Sequence, residues 1–157
     1  MSEIKTDLKR SSADKSIALL NPTLASATDL MLSTKEAHWN VRGPNFIGLH
    51  LLFDKLNGEV SVYVDDLAER VVQVGGHALG TLRDAVKAST LPAYPENLNL
   101  EKDHLNALVK QFVALSTHVR KGIDLADEAG DKDTADLFTQ ISRGLDKQIW
   151  ILEAHLA

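Results

Sequence analysis

The segment from Lys35 to Asp54, KEAHWNVRGPNFIGLHLLFD, carries three side chains that can bind a metal ion. A helix-breaking Gly-Pro pair separates His38 from His50, so the two histidines should lie on consecutive helices. Asp54 follows His50 by four residues, and this spacing places both side chains on one face of the second helix. Imidazole and carboxylate ligands without thiolate favour iron, zinc or manganese.

A second carboxylate pair, Asp65 and Glu69, repeats this spacing further along the same helix. At about 100° per residue, and with His50 at zero, the three carboxylates fall at roughly 40, 60 and 100°. The apolar residues fall in an adjacent arc of roughly 80° that should face the core: Phe46, Leu49, Phe53, Leu56, Val60, Val64, Leu67, Val71 and Val74. Other charged residues, at about 140 to 200°, should face solvent: Lys55, Glu59, Asp66 and Arg70.

The two ligand pairs cannot bind one ion within a single chain. Asp54 and Asp65 are eleven residues apart, which is roughly 16 Å along a helix. If two copies of this helix pack antiparallel about a two-fold axis, each His50 end meets the Glu69 end of the other copy. The preceding helix folds back within its own subunit and can add His38. The sequence therefore predicts a site with His38, His50 and Asp54 from one chain and Asp65 and Glu69 from its partner.

Each of these residues, taken alone, is more often found in an ordinary structural role. A single histidine on a helix is usually a surface residue or a satisfied core residue, and carboxylates at i and i+4 are usually solvated. Glu101 and His104 form a Glu-x-x-His motif, but the intramolecular di-iron signature needs this motif twice. Glu101 and Asp103 are better interpreted as first-turn acids favoured by the helix dipole. The remaining histidines are expected at the surface: His77, His118 and His155.

The elements that must position these residues are all helical. Asn21-Pro22 predicts a helix start or an early kink, and Asn45 can cap the second helix, which the paired glycines at 75–76 should end. Asp131 or Asp133 should cap the last helix. The predicted helices span 22–42, 46–75, 82–88, 100–128 and 134–155. We expect a four-helix bundle with a short extra helix in a long crossover, over residues 16–157, after a polar tail over 1–15.

Composition narrows the function classes. The chain has 157 residues, 44% of them hydrophobic and 25% charged, which suits one globular domain. It has no cysteine, which excludes disulfides and thiolate chemistry. Without a signal peptide or an apolar run long enough to span a membrane, a cytoplasmic protein is expected. The net charge of −5 opposes a basic nucleic-acid-binding body.

Together with DDLAERVVQVGG, AYP and DTADLFTQISRGLDKQIWILEAHL, the opening segment resembles the Dps family of miniferritins over nearly all of the chain from the first helix onward. The resemblance implies a ferritin-like bundle assembled as a hollow homododecamer. It implies ferroxidase centres at two-fold interfaces, which oxidise ferrous iron preferentially with hydrogen peroxide before a ferric mineral is stored inside. His38, His50 and Asp54 match the family ligands of one subunit, and Asp65 and Glu69 match those of its neighbour.

The resemblance also bears on three further features. Trp39 matches a family tryptophan near the centre that can quench radicals, although a role as a core aromatic is equally compatible with the sequence. The resemblance also implies negatively charged three-fold pores, and a group of acidic residues lies where the family has them. These residues are alternatively helix caps or solvated side chains: Asp124, Asp127, Glu128, Asp131, Asp133 and Asp136.

In the tail, Lys5, Lys9, Arg10 and Lys15 alternate with Glu3, Asp7 and Asp14. Because these charges nearly cancel, weak DNA binding is expected, and a nucleoid-protecting DNA-binding shell is the alternative function.

Overall fold

The computed structural model describes residues 6–157 and forms a bundle of four long helices with one short helix. Glu3 and Lys5 of the predicted tail lie outside the described residues. The helices are α1 (Arg10–Asn40), α2 (Phe46–Gln73), α3 (Leu82–Ala88), α4 (Glu101–Glu128) and α5 (Lys132–Ala154). The predicted fold class, including the short helix in the crossover, is confirmed.

Of the two alternatives predicted for Asn21-Pro22, the helix start is wrong, and the early kink stays a prediction. The helix begins at Arg10, inside the segment assigned to the tail, and continues through Pro22. Asn21 does not cap it. Its side chain accepts a hydrogen bond from the Leu79 N–H at 3.0 Å and donates to the His77 carbonyl at 3.2 Å. Asn21 therefore holds the loop that follows α2, a contact between residues far apart in sequence.

The core lies between two antiparallel helix pairs. α1 packs along α2, α4 packs along α5, and α1 against α4 joins the pairs. The apolar stripe predicted for α2 is largely confirmed, with these residues buried: Leu49, Phe53, Leu56, Val60, Leu67, Val71 and Val74. Phe46 is the clear exception, at 40% exposed, and its ring lies 5.1 Å from the ring of His50.

The face of α2 that was expected in solvent is exposed at Lys55, but elsewhere it contacts α5 and the turn before it. Arg70 donates to Asp131 at 2.7 Å and to the Thr134 hydroxyl at 2.9 Å. Further along the same face, Glu59 accepts from Gln148 at 2.7 Å. The prediction was wrong for Arg70 and Glu59 because a helical wheel contains no information about the neighbouring helix.

Asp131 connects three helices at one end of the bundle. It is 2% exposed, caps α5 by accepting from the Thr134 N–H, and accepts from Ser16 of α1 at 2.6 Å. Burial alone would raise the pKa of Asp131, but the hydrogen bonds from Ser16 and Thr134 and the Arg70 charge outweigh it, so the pKa is lowered. Of the two predicted caps of α5, the structure selects Asp131 over Asp133.

None of the helices within residues 6–157 combines the length and the hydrophobicity needed to cross a membrane.

Candidate metal centre

His38 and His50 are brought together at the α1–α2 turn. Their rings stack with centroids 3.7 Å apart and an interplanar angle of 23°. His38 Nδ1 donates to the His50 carbonyl at 2.7 Å, and His50 Nδ1 donates to the His38 carbonyl at 2.8 Å. A carbonyl oxygen only accepts, so each Nδ1 carries a proton, which leaves Nε2 as the atom of each ring that can bind a metal ion.

The end of α1 explains why this reciprocal pairing is favourable. The Val41 N–H closes the last helical hydrogen bond, to the Ala37 carbonyl at 3.0 Å. The carbonyl of His38 lies beyond that bond, where a helix leaves its carbonyls without an intrahelical partner. The His50 ring supplies the missing donor. The bond from His50 Nδ1 therefore gives the His38 carbonyl a donor and also orients the His50 ring as a candidate ligand.

Asp54 lies one turn after His50, but its carboxylate is paired with Lys35 of α1. This hydrogen bond is the main cause that lowers the pKa of the Asp54 carboxyl, so Asp54 is ionised at neutral pH. Lys35 was not predicted as part of the site. Its position three residues before His38, on the same side of α1, is the sequence signal that could have identified it.

The other predicted ligands, Asp65 and Glu69, are both exposed on α2. Across residues 6–157 of one chain, no group of three or more histidine, aspartate or glutamate side chains is placed to hold a metal ion. One chain thus presents the histidine pair and Asp54 at one end of α2 and the carboxylate pair towards the other. The assignment of Asp65 and Glu69 to a partner's centre remains a prediction.

Exposed apolar side chains surround the histidine pair. Trp39 is 68% exposed, so the alternative role as a core aromatic is wrong for the isolated chain. Ile47 and Leu51, on either side of His50 in sequence, are 63% and 61% exposed. Exposed apolar residues next to an incomplete ligand set are typical of a surface that another protein chain covers.

The Glu-x-x-His motif has a structural role. Glu101 accepts hydrogen bonds from the backbone N–H and the side-chain amide of Asn45, so its carboxylate is already engaged. His104 is 1% exposed, and its Nδ1 is hydrogen-bonded to the Tyr94 hydroxyl at 2.6 Å. Asn45 does precede α2, but its own side chain makes no capping bond. Glu101 therefore supplies the side-chain hydrogen bonds at the start of α2, where the predicted capping bond of Asn45 is not formed.

The remaining histidines divide into two groups. His77 and His155 are exposed, as predicted. His118 is partly buried, and its Nε2 is hydrogen-bonded to the Thr23 hydroxyl of α1 at 3.0 Å, so the surface prediction was wrong. Burial lowers the pKa of His118.

The acidic cluster is mostly exposed, apart from the buried cap Asp131. Its assignment to a pore remains a prediction.

Comparison with known proteins agrees with this fold. The ferritin family, described as a ferritin-like domain, matches residues 17–157. The DNA protection during starvation protein of Agrobacterium fabrum is 47% identical over 152 residues, covering 97% of this chain and 94% of that protein. The structure of DpsC from Streptomyces coelicolor superposes with a TM-score of 0.95 at 30% identity, over 99% of this chain and 91% of that one.

A Dps protein from Vibrio cholerae, described as a member of a broad superfamily of ferritin-like diiron-carboxylate proteins, has a TM-score of 0.92 at 25% identity. The alignment covers 100% of this chain and 99% of that one. The bundle, its crossover and the matched domain define a ferritin-like protein. Within that class, the chain belongs to the Dps family, as its resemblance in sequence indicated.

Proposed function

We propose that this protein is an iron-storing and iron-detoxifying miniferritin, which oxidises ferrous iron at centres shared between two chains. The observation that carries the proposal is the reciprocal pairing of His38 and His50, which leaves both Nε2 atoms available as ligands. The related Vibrio cholerae protein is described as a member of a superfamily of ferritin-like diiron-carboxylate proteins, and a histidine and carboxylate ligand set suits iron here.

Each ligand has a defined role in this proposal. The histidines bind ferrous iron through neutral nitrogen, while Asp54 supplies negative charge once iron displaces the Lys35 ammonium from it. Asp65 and Glu69 of a partner chain complete the centre and balance the charge of the ferric product. Hydrogen peroxide then takes one electron from each of two ferrous ions, and with two protons it yields two water molecules. This two-electron reduction releases no hydroxyl radical.

The assembly follows from the separation of the ligands along α2. A two-fold contact between antiparallel α2 helices would place the exposed carboxylates beside the partly buried histidines, with Trp39 near both. We propose that such contacts build a homododecameric shell whose interior holds ferric mineral. An indole next to the centre could then reduce stray radicals. The acidic residues near the α4–α5 junction are the candidates for iron entry.

Protection of DNA is proposed to follow from removal of iron and peroxide. The related Agrobacterium protein is named for DNA protection, but this chain carries a net charge of −5. Within the described part of the tail, Arg10 pairs with Asp14 at 2.6 Å, which offsets one of its basic charges. A cytoplasmic location suits this function.

The experiment that tests the proposal combines iron oxidation with particle mass. Anaerobic protein receives ferrous iron and then peroxide, and ferric absorbance and residual peroxide are followed. We expect one peroxide consumed per two ferrous ions, and native mass spectrometry should show twelve chains whose mass rises on iron loading. Slow oxidation equal to that of free iron, or a monomer at micromolar concentration, would refute the proposed function.

A further inference from the structure

The first residue of α4 holds the start of α2. Glu101 Oε1 accepts from the Asn45 N–H at 2.5 Å, and Glu101 Oε2 accepts from Asn45 Nδ2 at 3.1 Å. The Asn45 side chain makes no capping bond to α2. Because the first N–H groups of a helix lack partners and its dipole is positive there, a carboxylate at this position is favourable. Glu101 therefore anchors the N-terminal end of α2 from another helix.

Two further contacts fasten the same α1–α2 turn, residues 41–45. The Arg42 N–H donates to the Asn99 carbonyl at 2.8 Å, beside an isolated parallel bridge to Leu100. Gly43 leaves room for Glu101, since a Cβ at Gly43 would lie 2.5 Å from the Glu101 Cδ. Gly43 also has a φ of +154°, which residues with a side chain rarely adopt. The turn is thus docked on the start of α4 by its backbone and by the Glu101 side chain.

The docked turn controls the histidine pair because it is short. His38 lies three residues before the turn and His50 lies five residues after it. The two reciprocal hydrogen bonds require the end of α1 and the start of α2 at one separation and one rotation. A small shift of either helix end would lengthen one or both bonds and free the rings to rotate.

We propose that Glu101 is a positioning residue of the metal centre. Through Asn45 and the α1–α2 turn, it fixes the ring orientation of His38 and His50 and so the direction of both Nε2 atoms in the metal centre. The inference rests on the proposed function, because that function makes the histidines metal ligands. Glu101 is not assigned as a ligand, because both of its oxygens accept hydrogen bonds from Asn45, whereas the pairing with Lys35 engages one oxygen of Asp54.

The test measures metal affinity in the full-length assembled protein with Co²⁺, which does not oxidise in the assay and whose visible absorption reports its coordination. Glu101→Ala should weaken Co²⁺ binding about tenfold, at the lower end of the loss seen when a group that orients a ligand is removed. Glu101→Gln keeps an acceptor oxygen for the Asn45 N–H and should recover most of the affinity. Asp103→Asn is the matched control and should leave the affinity unchanged, because it removes an exposed first-turn acid of the same helix.

Gly43→Ala tests the same contact from the opposite side. Its new Cβ should displace the Glu101 carboxylate, and a side chain at a φ of +154° also strains the turn, so the affinity loss should be at least that of Glu101→Ala. The double variant should bind Co²⁺ no more weakly than Gly43→Ala alone, because both changes remove the Glu101 contact and the backbone strain is already present in Gly43→Ala. Losses that multiply in the double variant would show that Glu101 and Gly43 act independently and would overturn the proposal.

Thermal unfolding separates positioning from general stability. A purely structural Glu101 would lower the Tm of Glu101→Ala without changing Co²⁺ affinity or the absorption spectrum, and that result would refute the positioning role. His50→Ala distinguishes this outcome from failure of the metal centre. If His50→Ala binds Co²⁺ as tightly as the unmodified protein, the centre itself is refuted. If only His50→Ala loses affinity, the centre stands and the role of Glu101 is refuted.

Discussion

Two complementary variants can determine whether one metal centre is shared by two chains. The first carries His38→Ala and His50→Ala, and the second carries Asp65→Ala and Glu69→Ala. Each variant alone should lose rapid peroxide-driven iron oxidation, because every centre then lacks part of its ligand set. All four side chains are exposed or only partly buried, so the bundle should tolerate the substitutions.

Mixing the two variants should restore a calculable fraction of the activity. With random pairing at equal amounts, about half of the two-fold contacts join one chain of each kind. Each such contact contains one centre with both defects and one centre with intact histidines, Asp54 and partner carboxylates. About a quarter of all centres are then complete, so the initial rate should reach about a quarter of the unmodified rate. A centre within one chain predicts no recovery, because every chain keeps its own defect.

The assay requires exchange of chains before the rate is measured. The variants are unfolded in denaturant, mixed and refolded, and native mass spectrometry verifies shells that contain both kinds of chain. Stopped-flow absorbance then records ferric iron after peroxide is added. Each variant refolded alone gives the baseline, and the unmodified protein refolded in parallel gives the full rate. Absence of recovery in verified mixed shells would refute the two-chain assignment.

Four further outcomes are expected. Lys35→Met removes the cation paired with Asp54 and should tighten ferrous binding about two- to fivefold in an anaerobic titration; unchanged affinity would show that the pair does not compete with iron. A Cβ at Gly144 would overlap the Tyr63 hydroxyl, so Gly144→Ala should cost about 1–3 kcal/mol in urea unfolding, and adding Tyr63→Phe should recover part of it. Burial lowers the pKa of His104 in the folded protein. In the unfolded chain the pKa of this histidine is about 6.5, so the unfolded chain binds more protons and the free energy of unfolding should fall as pH falls through that value. In His104→Gln the urea midpoint should depend less on pH. Plasmid retardation should be weak at low salt and absent at physiological salt, whereas complexes that persist there would reveal a DNA-binding surface outside the balanced tail.

Much of the architecture could be predicted from local patterns. The bounds of α3 agree with prediction, and α2 and α4 agree to within two residues, because their ends coincide with turn residues, capping residues and glycines. The wheel of α2 identified most of its buried residues and separated the carboxylate stripe from them. The length of the helix between Asp54 and Asp65 also favoured a metal centre whose ligands come from two chains, because the two carboxylates are too far apart to bind one ion.

The wrong predictions share one physical cause. Asn21-Pro22 has the composition of a helix start, but α1 continues through it while Asn21 holds a distant loop. Arg70 lies on a polar face of its own helix, yet the buried carboxylate of Asp131, in the turn before α5, accepts from it. His118 likewise bonds to a hydroxyl of α1. Each partner is far away in sequence, so neither periodicity nor local spacing contains it.

The sequence by itself determined the helical periods, the breaks between helices and the residue types that could bind iron, because these depend on neighbours within a few residues. Only the tertiary structure decided how the ligands are presented. In the folded chain the rings of His38 and His50 stack, Asp54 pairs with Lys35, and Glu101 accepts a hydrogen bond from Asn45. These contacts join different helices, and their geometry depends on how the helix ends meet when the core between them packs.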